Sequence, residues 1–132
     1  MRANYSVKRC LLLSLLLFSY ELHSAVFYYP IGRWPYIERN ISNIRTLCYD
    51  IWDVDERDLL ILKSIVNKGV VKDTFNSHAV RVVIEFLDKD VYIDDNGVAS
   101  TDLRNGLIVD VNKIKYFHES LSQDKIRKCN IY

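Results

Sequence analysis

The sequence has few residues of the kinds that break a chain into loops and no excess of charge of either sign. It contains four glycines and two prolines among 132 residues, and its formal net charge is +1. Hydrophobic residues make up 49% and charged residues 27%, as in globular domains and unlike disordered or fibrous chains. The lack of a basic excess argues against nucleic acid as a partner. A chain of this length is expected to form one domain.

The motifs of several enzyme classes are also missing. The sequence contains no Gly-x-Ser-x-Gly elbow, no phosphate-binding glycine loop and no metal-binding histidine pair. The acid-rich stretch around Gly97 fails the calcium-loop template, because that alignment places Tyr92 and Leu103 where acids belong. Asp53 and Asp55 are expected to open a helix rather than to form a phosphatase nucleophile pair. The sequence therefore predicts no metal, no cofactor and no enzyme.

The first 25 residues have the pattern of a secretory signal peptide. An apolar run over residues 11–18 follows a basic start, and the small residues Ser24 and Ala25 come after it. The run is about half of the ~20 residues that a membrane-spanning helix needs, which disfavours a permanent span and leaves an uncleaved anchor as the alternative. We therefore predict a signal peptide over residues 1–25, a single domain over residues 26–132, and a periplasmic or secreted location.

Cysteine usage fits an exported protein. Removal of the predicted signal takes Cys10 away, leaves Cys48 and Cys129, and gives residues 26–132 a formal net charge of −1. An even pair of cysteines in an exported domain predicts one disulfide. Two unpaired thiols are the alternative, since the spacing of the pair does not fit a zinc site.

Hydrophobic spacing predicts an α+β fold with two N-terminal helices, an antiparallel meander of four to five strands, and a C-terminal helix packed on one face of the sheet. Apolar residues at steps of three and four over residues 34–51 predict the first helix. Acids over residues 53–58 cap the second, which is apolar around most of its girth and is therefore expected to be central. Asp110 caps the last helix, which continues to Leu121.

The strands of the meander are predicted from a change of period. Polar and apolar residues alternate over residues 80–86, and residues 70–75 are the expected hairpin partner of that strand. Shorter strands flank two Asn-Gly pairs, Asn96-Gly97 and Asn105-Gly106, which are strong hairpin signals. We therefore expect a turn at each pair.

Two groups of residues are candidates for contact with a partner protein. One is a dense aromatic cluster at the start of residues 26–132, because tyrosine and tryptophan are frequent in protein interfaces. The other is an acidic turn, which could complement a basic cleft. The alternative for the aromatic cluster is that its rings cover one end of the sheet. The candidate residues are Phe27, Tyr28, Tyr29, Trp34, Tyr36, Asp94 and Asp95.

These observations favour a small exported binding protein, an inhibitor or immunity-type protein that blocks a toxin or hydrolase. A small secreted hydrolase is the first alternative, in which His78 or His118 pairs with a carboxylate such as Glu85 or Glu119. The two classes differ in geometry, because a hydrolase needs a histidine within hydrogen-bond reach of an acid. A structural protein of the cell envelope is the second alternative.

Overall fold

A computed structural model describes residues 24–35 and 37–129, which form one eight-stranded antiparallel sheet with helices. The strands run in the order β3-β7-β6-β5-β4-β1-β2-β8 across the sheet. Their bounds are β1 (Ser24–Tyr28), β2 (Asp50–Val54), β3 (Val70–Thr74), β4 (Val80–Glu85), β5 (Asp90–Asp94), β6 (Val98–Ser100), β7 (Asn105–Ile108) and β8 (Ile126–Lys128). The helices of this part of the chain are α1 (Ile44–Leu47), α2 (Glu56–Asn67) and α3 (Val111–Ser120), and a 3₁₀ turn spans Gln123–Lys125.

The predicted arrangement of two N-terminal helices and four to five strands is wrong. Of the region predicted as the first helix, only the four residues of α1 are helical. Its last two residues, Asp50 and Ile51, begin the strand β2. Residues of β2 alternate between buried and half-buried, and β-branched or aromatic side chains at Ile51, Trp52 and Val54 favour a strand. Hydrogen bonding to β1 on one side and β8 on the other outweighs the helical spacing.

The strand pairing also departs from the prediction. Strand β3 pairs with β7 rather than with β4, whose neighbours are β1 and β5. The expected turn at Asn96-Gly97 joins β5 to β6, with Gly97 at φ +80°, whereas Asn105-Gly106 lies inside β7. An added Cβ at Gly106 would lie 2.0 Å from the Ala99 carbonyl oxygen. That glycine therefore permits close contact between strands and does not form the turn.

Helices α2 and α3 cover one face of the sheet, which we call the helix face. Helix α2 links β2 to the edge strand β3, and a capping box between Asp55 and Asp58 fixes its start. It is less central than predicted, because Leu60 and Ile61 are exposed. The core on this face combines residues of the sheet and both helices, among them Val26, Trp52, Val82, Ile84, Ile93, Leu59, Leu62, Ile114 and Phe117.

The opposite face, which we call the loop face, is covered by the connection between β1 and β2. Its buried cluster consists of Ile44, Cys48, Phe75, Val80, Val83, Val98 and Cys129. The predicted disulfide between Cys48 and Cys129 is present in this cluster. It ties Cys48, two residues before β2, to Cys129, which directly follows β8, so it fixes one end of this antiparallel strand pair.

Most of the predicted signal peptide lies outside the described residues. Residue Ser24, at its predicted end, is the first residue of β1 and pairs with Val54. None of the helices in residues 24–35 and 37–129 is long and apolar enough to span a bilayer.

Candidate functional site

The most exposed aromatic side chain of the described residues lies in the connection that follows β1. We call residues 30–39 the Trp34 loop; Tyr36, one of the predicted partner residues, lies outside the described part of it. The Trp34 side chain is 89% exposed and Ile37 is 59% exposed. Large apolar side chains at such exposure contribute little to the folded core, so they are available for contact with another molecule.

The two ends of the Trp34 loop are fixed to the sheet. At one end, the Tyr29 N–H donates to the Arg81 carbonyl at 2.7 Å, and at the other the Val80 N–H donates to the Arg39 carbonyl at 2.8 Å. The Arg39 Nε donates to the Leu47 carbonyl at 2.8 Å, and its guanidinium lies 4.8 Å from the Tyr29 ring centroid. The loop therefore presents Trp34 from a stem that is hydrogen-bonded to the sheet.

Two cations lie near the ring of Tyr49, which is beside this loop. The Arg33 guanidinium carbon is 5.9 Å from the Tyr49 ring centroid and Lys128 Nζ is 3.9 Å from it. Both distances are in the range of cation–π contacts. Tyr49 and Lys128 adjoin the two bridged cysteines, and the Cys129 N–H donates to the Tyr49 carbonyl at 3.3 Å. The disulfide thus brings Lys128 to Tyr49.

The carboxylate of Asp50, at the start of β2, is the polar centre of the same region. Asp50 is only 3% exposed. His118 Nε2, on the last turn of α3, lies 3.2 Å from Oδ2, and Lys128 Nζ lies 3.1 Å from Oδ1. The lysine contact has the distance of an ion pair without the angles of a hydrogen bond, since Oδ1 has no hydrogen-bond partner. The ammonium group of Lys128 compensates the charge of this buried carboxylate.

Aromatic rings hold the histidine in place. The His118 ring stacks on Trp52 with centroids 4.9 Å apart and planes inclined by 10°, and the Tyr28 ring lies 5.0 Å away. Burial, and next the negative charge of Asp50, raise the pKa of the Tyr28 phenol above its ordinary value. Contact with Asp50 likewise raises the pKa of the Lys128 ammonium. Tyr28 is therefore a neutral hydroxyl and Lys128 a cation at neutral pH.

The histidines do not pair with the glutamates considered from the sequence. His118 contacts Asp50, whereas Glu85 pairs with Arg45 and Glu119 is exposed. His78 Nδ1 lies 3.1 Å from Glu38 Oε1 on open surface. The described residues hold no group of three or more His, Cys, Asp and Glu side chains placed to bind a metal ion. The contact between His118 and Asp50 has the geometry that acid–base chemistry needs. Cys48 and Cys129 are bonded to each other, so neither is a free thiol nucleophile.

The structure distributes the predicted aromatic cluster over both faces of the sheet. Tyr28 is buried on the helix face, and Phe27 and Tyr29 are half-buried on the loop face. The Arg45 guanidinium lies 5.6 Å from the Phe27 ring. Only Trp34 of the four described members projects fully from the surface. The prediction that the cluster contacts a partner stays a prediction, and its exposed part is Trp34.

The predicted acidic turn has a structural role inside the protein. Asp94 is 0% exposed, and its carboxylate accepts hydrogen bonds from the N–H groups of Asn76, Asn96 and Val98, each at 2.9 Å. Asp95 is half-buried. The Asp94 carboxylate therefore stabilises the β5–β6 turn. The role of this turn in partner binding also stays a prediction.

Sequence reasoning missed Tyr49, Asp50 and Lys128. The hydrophobic spacing places Asp50 in the predicted first helix, and nothing in the local pattern connects it with His118. The predicted disulfide did carry a usable signal, because pairing Cys48 with Cys129 places their neighbours, Tyr49 and Lys128, side by side.

Comparisons with protein-family models, with curated proteins and with solved structures gave no match to this chain. The site is therefore interpreted from its own geometry.

Proposed function

We propose that this protein is a small exported binding protein of the inhibitor or immunity type, and that the Trp34 loop is its main contact surface. The observation that carries the proposal is the 89% exposure of Trp34 on a loop whose two ends are hydrogen-bonded to β4. Tryptophan and arginine dominate the binding energy of many protein interfaces, and Arg33 adjoins Trp34. Anchoring of the two ends to β4 restricts the conformations of the loop, which lowers the entropy that is lost when a partner binds.

Recovery of the partner with matched variants tests the proposal. The tagged full chain, Trp34→Ala and Leu87→Ala are each expressed in the native host, and proteins bound in the exported fraction are quantified by mass spectrometry. Leu87 is a suitable control because it is 65% exposed and lies in the β4–β5 connection. We expect one stoichiometric partner with the unmodified chain and with Leu87→Ala, and at least a tenfold loss with Trp34→Ala. Equal recovery with Trp34→Ala, or no partner at all, would overturn the proposal.

Export is tested in the same preparation. Intact-mass measurement of the recovered protein is expected to give a chain that begins at Ala25 or Val26, which is the predicted signal cleavage. A chain that retains residues 1–24 and sediments with membranes would instead support an uncleaved anchor.

A secreted hydrolase is the second candidate, supported by the 3.2 Å distance between His118 and the buried Asp50. A rigid histidine–carboxylate pair can act in acid–base catalysis. Its test is a screen of the purified protein on casein, peptidoglycan and simple esters, with His118→Gln as the control. Hydrolysis that disappears in His118→Gln would favour this candidate over the binding protein. Hydrolysis that is absent, or unchanged in the variant, would eliminate it.

A further inference from the structure

Helix α2 leaves part of its apolar surface uncovered. Its residues Leu59, Leu62 and Ile65 are buried in the helix-face core, whereas Leu60 is 65% exposed and Ile61 is 46% exposed. Both exposed residues lie on the solvent side of α2, on the face of the sheet opposite to the loop-face cluster. This surface is therefore separate from the Arg39–Tyr29 stem of the Trp34 loop.

A groove of about 390 Å³ lies along this side of α2. Leu60, Ile61 and Ile65 form its apolar part. The charged residues that line it are all cations: Arg57 on α2, Lys68 directly after α2, and Lys113 on α3. None of the three forms an ion pair with a carboxylate in the part of the chain that the structure describes.

The cations mark the two ends of the groove. Arg57, Ile61 and Ser64 lie on one stripe of α2 at steps of four and three, and the C-cap residue Lys68 continues that spacing at the next step of four. The rise of about 1.5 Å per residue places Arg57 and Lys68 about 16 Å apart along the axis. An extended segment of about five residues spans that length, at about 3.3 Å per residue.

We propose that this groove binds an acidic, amphipathic segment of a partner protein. Apolar side chains of that segment lie on Leu60 and Ile61, and its carboxylates, about five residues apart, pair with Arg57 at one end and with Lys68 at the other. Lys113 adds a third positive charge to the groove. Unpaired cations around an apolar floor favour such a ligand, because the carboxylates gain ion pairs while apolar area is removed from water.

Two other occupants fit the surface less well. Residues 1–23 of the chain contain an apolar run, but their basic residues Arg2, Lys8 and Arg9 would meet cations of the same sign. An anionic bilayer would be attracted to the cations of the groove, but on the other side of Leu60 a second groove is lined by two acids, Glu56 and Asp88, and one cation, Lys63. A bilayer is also too flat to fill a concave groove.

Selection from a peptide library tests the proposal directly. A phage-displayed library of random linear peptides is selected on the purified full chain, and enriched peptides are synthesised and their Kd is measured by fluorescence anisotropy. We expect enriched sequences with acids on both sides of large apolar residues. Arg57→Glu/Lys68→Glu/Lys113→Glu is expected to weaken their binding at least tenfold. The control Lys72→Glu/Arg104→Glu/Lys115→Glu, which changes the net charge equally at exposed positions, is expected to change the Kd less than twofold.

Leu60→Gln/Ile61→Gln tests the apolar part without a change in charge. Glutamine is a good helix former, and both positions are exposed, so unchanged circular dichroism and thermal midpoint are expected for this variant. We expect the same peptides to bind it at least tenfold more weakly. Unchanged binding to this variant would show that apolar contact at the groove is absent and would overturn the proposal.

The remaining outcomes also decide the question. Failure to enrich any acidic sequence would overturn the proposal, and so would peptides whose binding is lost in Trp34→Ala, because those bind the Trp34 loop. Binding to vesicles of phosphatidylcholine and phosphatidylserine that is lost in the triple charge variant would identify a membrane as the occupant instead. A dimer of the unmodified chain in light scattering that dissociates in Leu60→Gln/Ile61→Gln would identify a second copy.

Discussion

The two faces of the sheet are covered by different means. On the helix face, α2 and α3 bury regular rows of apolar side chains against the strands. On the loop face, one helical turn and an irregular connection cover the strands, and a disulfide lies within the buried cluster. The backbone N–H and C=O groups of a regular helix form hydrogen bonds with each other, whereas those of an irregular segment need side chains or other segments as hydrogen-bond partners. The loop face is therefore stabilised by individual contacts, and it can leave Trp34 exposed without loss of core.

Side chains supply those individual contacts. Asn40 Oδ1 accepts from the N–H groups of Ser42 and Asn43 at 3.0 and 3.2 Å, and Asn43 Nδ2 donates to the Glu38 carbonyl at 2.8 Å. The Arg39 guanidinium bonds the Leu47 carbonyl. On the loop face, these side chains form hydrogen bonds with backbone groups, whereas on the helix face the backbone groups of the helices bond each other. Four predictions, in order of expected effect, test this contrast.

The largest effect is expected from removal of the disulfide. Cys48→Ser/Cys129→Ser opens a loop with a sequence separation of 81 residues. The chain-entropy model gives about 4–5 kcal/mol for the loss in unfolding free energy, as an upper value. Urea denaturation measures it, and the unmodified protein in excess reductant should match the variant. Hydrogen exchange should speed up most at the amides of residues 37–49. A uniform increase that includes α2 and α3 would contradict the contrast between the faces.

Core truncations on the two faces should couple differently to the disulfide. Leu62→Ala on the helix face and Ile44→Ala on the loop face each remove a fully buried side chain, at a cost of about 2–5 kcal/mol. Ile44 shares a cluster with Cys48 and Cys129, and Leu62 does not. In double-mutant cycles with the disulfide, the coupling energy should exceed about 0.5 kcal/mol for Ile44→Ala and stay below it for Leu62→Ala.

Reversal of that pattern would show that the disulfide acts mainly through the helix face. Because the disulfide variant is already destabilised, the cycle is best measured in a stabilising co-solvent such as sucrose, which keeps all four proteins folded at the start of the titration.

The parts of the fold that were predictable from sequence are those with local causes. The start of α2 at Asp55, the start of α3 at Asp110 and the turn at Gly97 each follow from residues within a few positions. The pairing of β3 with β7 does not, because it joins segments more than thirty residues apart and the period of two is the same for any partner strand. The prediction of the first helix is wrong for the same reason, because β2 pairs with β1 and β8 and the local sequence does not indicate either partner.

The candidate site divides in the same way. Local composition indicates Trp34 as a candidate contact residue, but only the structure shows that its side chain is exposed. Asp50 and His118 could not be connected, because their contact depends on α3 packing against Trp52 beside the start of β2. The disulfide was the one long-range contact that the sequence predicted, since counting cysteines requires no knowledge of the fold.

A smaller effect is expected at the cap of α2. Asp55→Ala removes the N-cap hydrogen bond to the Asp58 N–H, which is 2.9 Å long, and should cost about 1 kcal/mol, whereas Asp55→Asn keeps a capping oxygen and should cost less. Hydrogen bonding to the Asp58 N–H and then to Lys125 lowers the pKa of Asp55 below its ordinary value of 3.8. A carboxyl with a lowered pKa stabilises the fold above its unfolded pKa and loses that contribution as the pH falls through its folded pKa.

The pH dependence gives this prediction a second readout. The thermal midpoint of the unmodified protein should fall as the pH decreases below about 4, and the midpoint of Asp55→Asn should fall less over that range. Asp73→Asn is the matched control, because Asp73 is exposed in the edge strand β3. An equal change of slope in both variants would show that general charge, and not the α2 cap, causes the acid dependence.

The smallest effect on stability is expected at Trp34, and the second tryptophan provides the comparison. Trp34 is 89% exposed, whereas Trp52 is 0% exposed between α3 and the sheet. Trp34→Ala should therefore change the free energy of unfolding by less than about 0.5 kcal/mol, and Trp52→Ala should lower it by about 3–5 kcal/mol. Trp34→Phe leaves Trp52 as the remaining tryptophan and should shift the fluorescence maximum to the blue, because the water-exposed indole is removed. A large loss of stability in Trp34→Ala would mean that the loop packs on the protein itself, and Trp34 would then be part of the cover of the sheet rather than a contact residue.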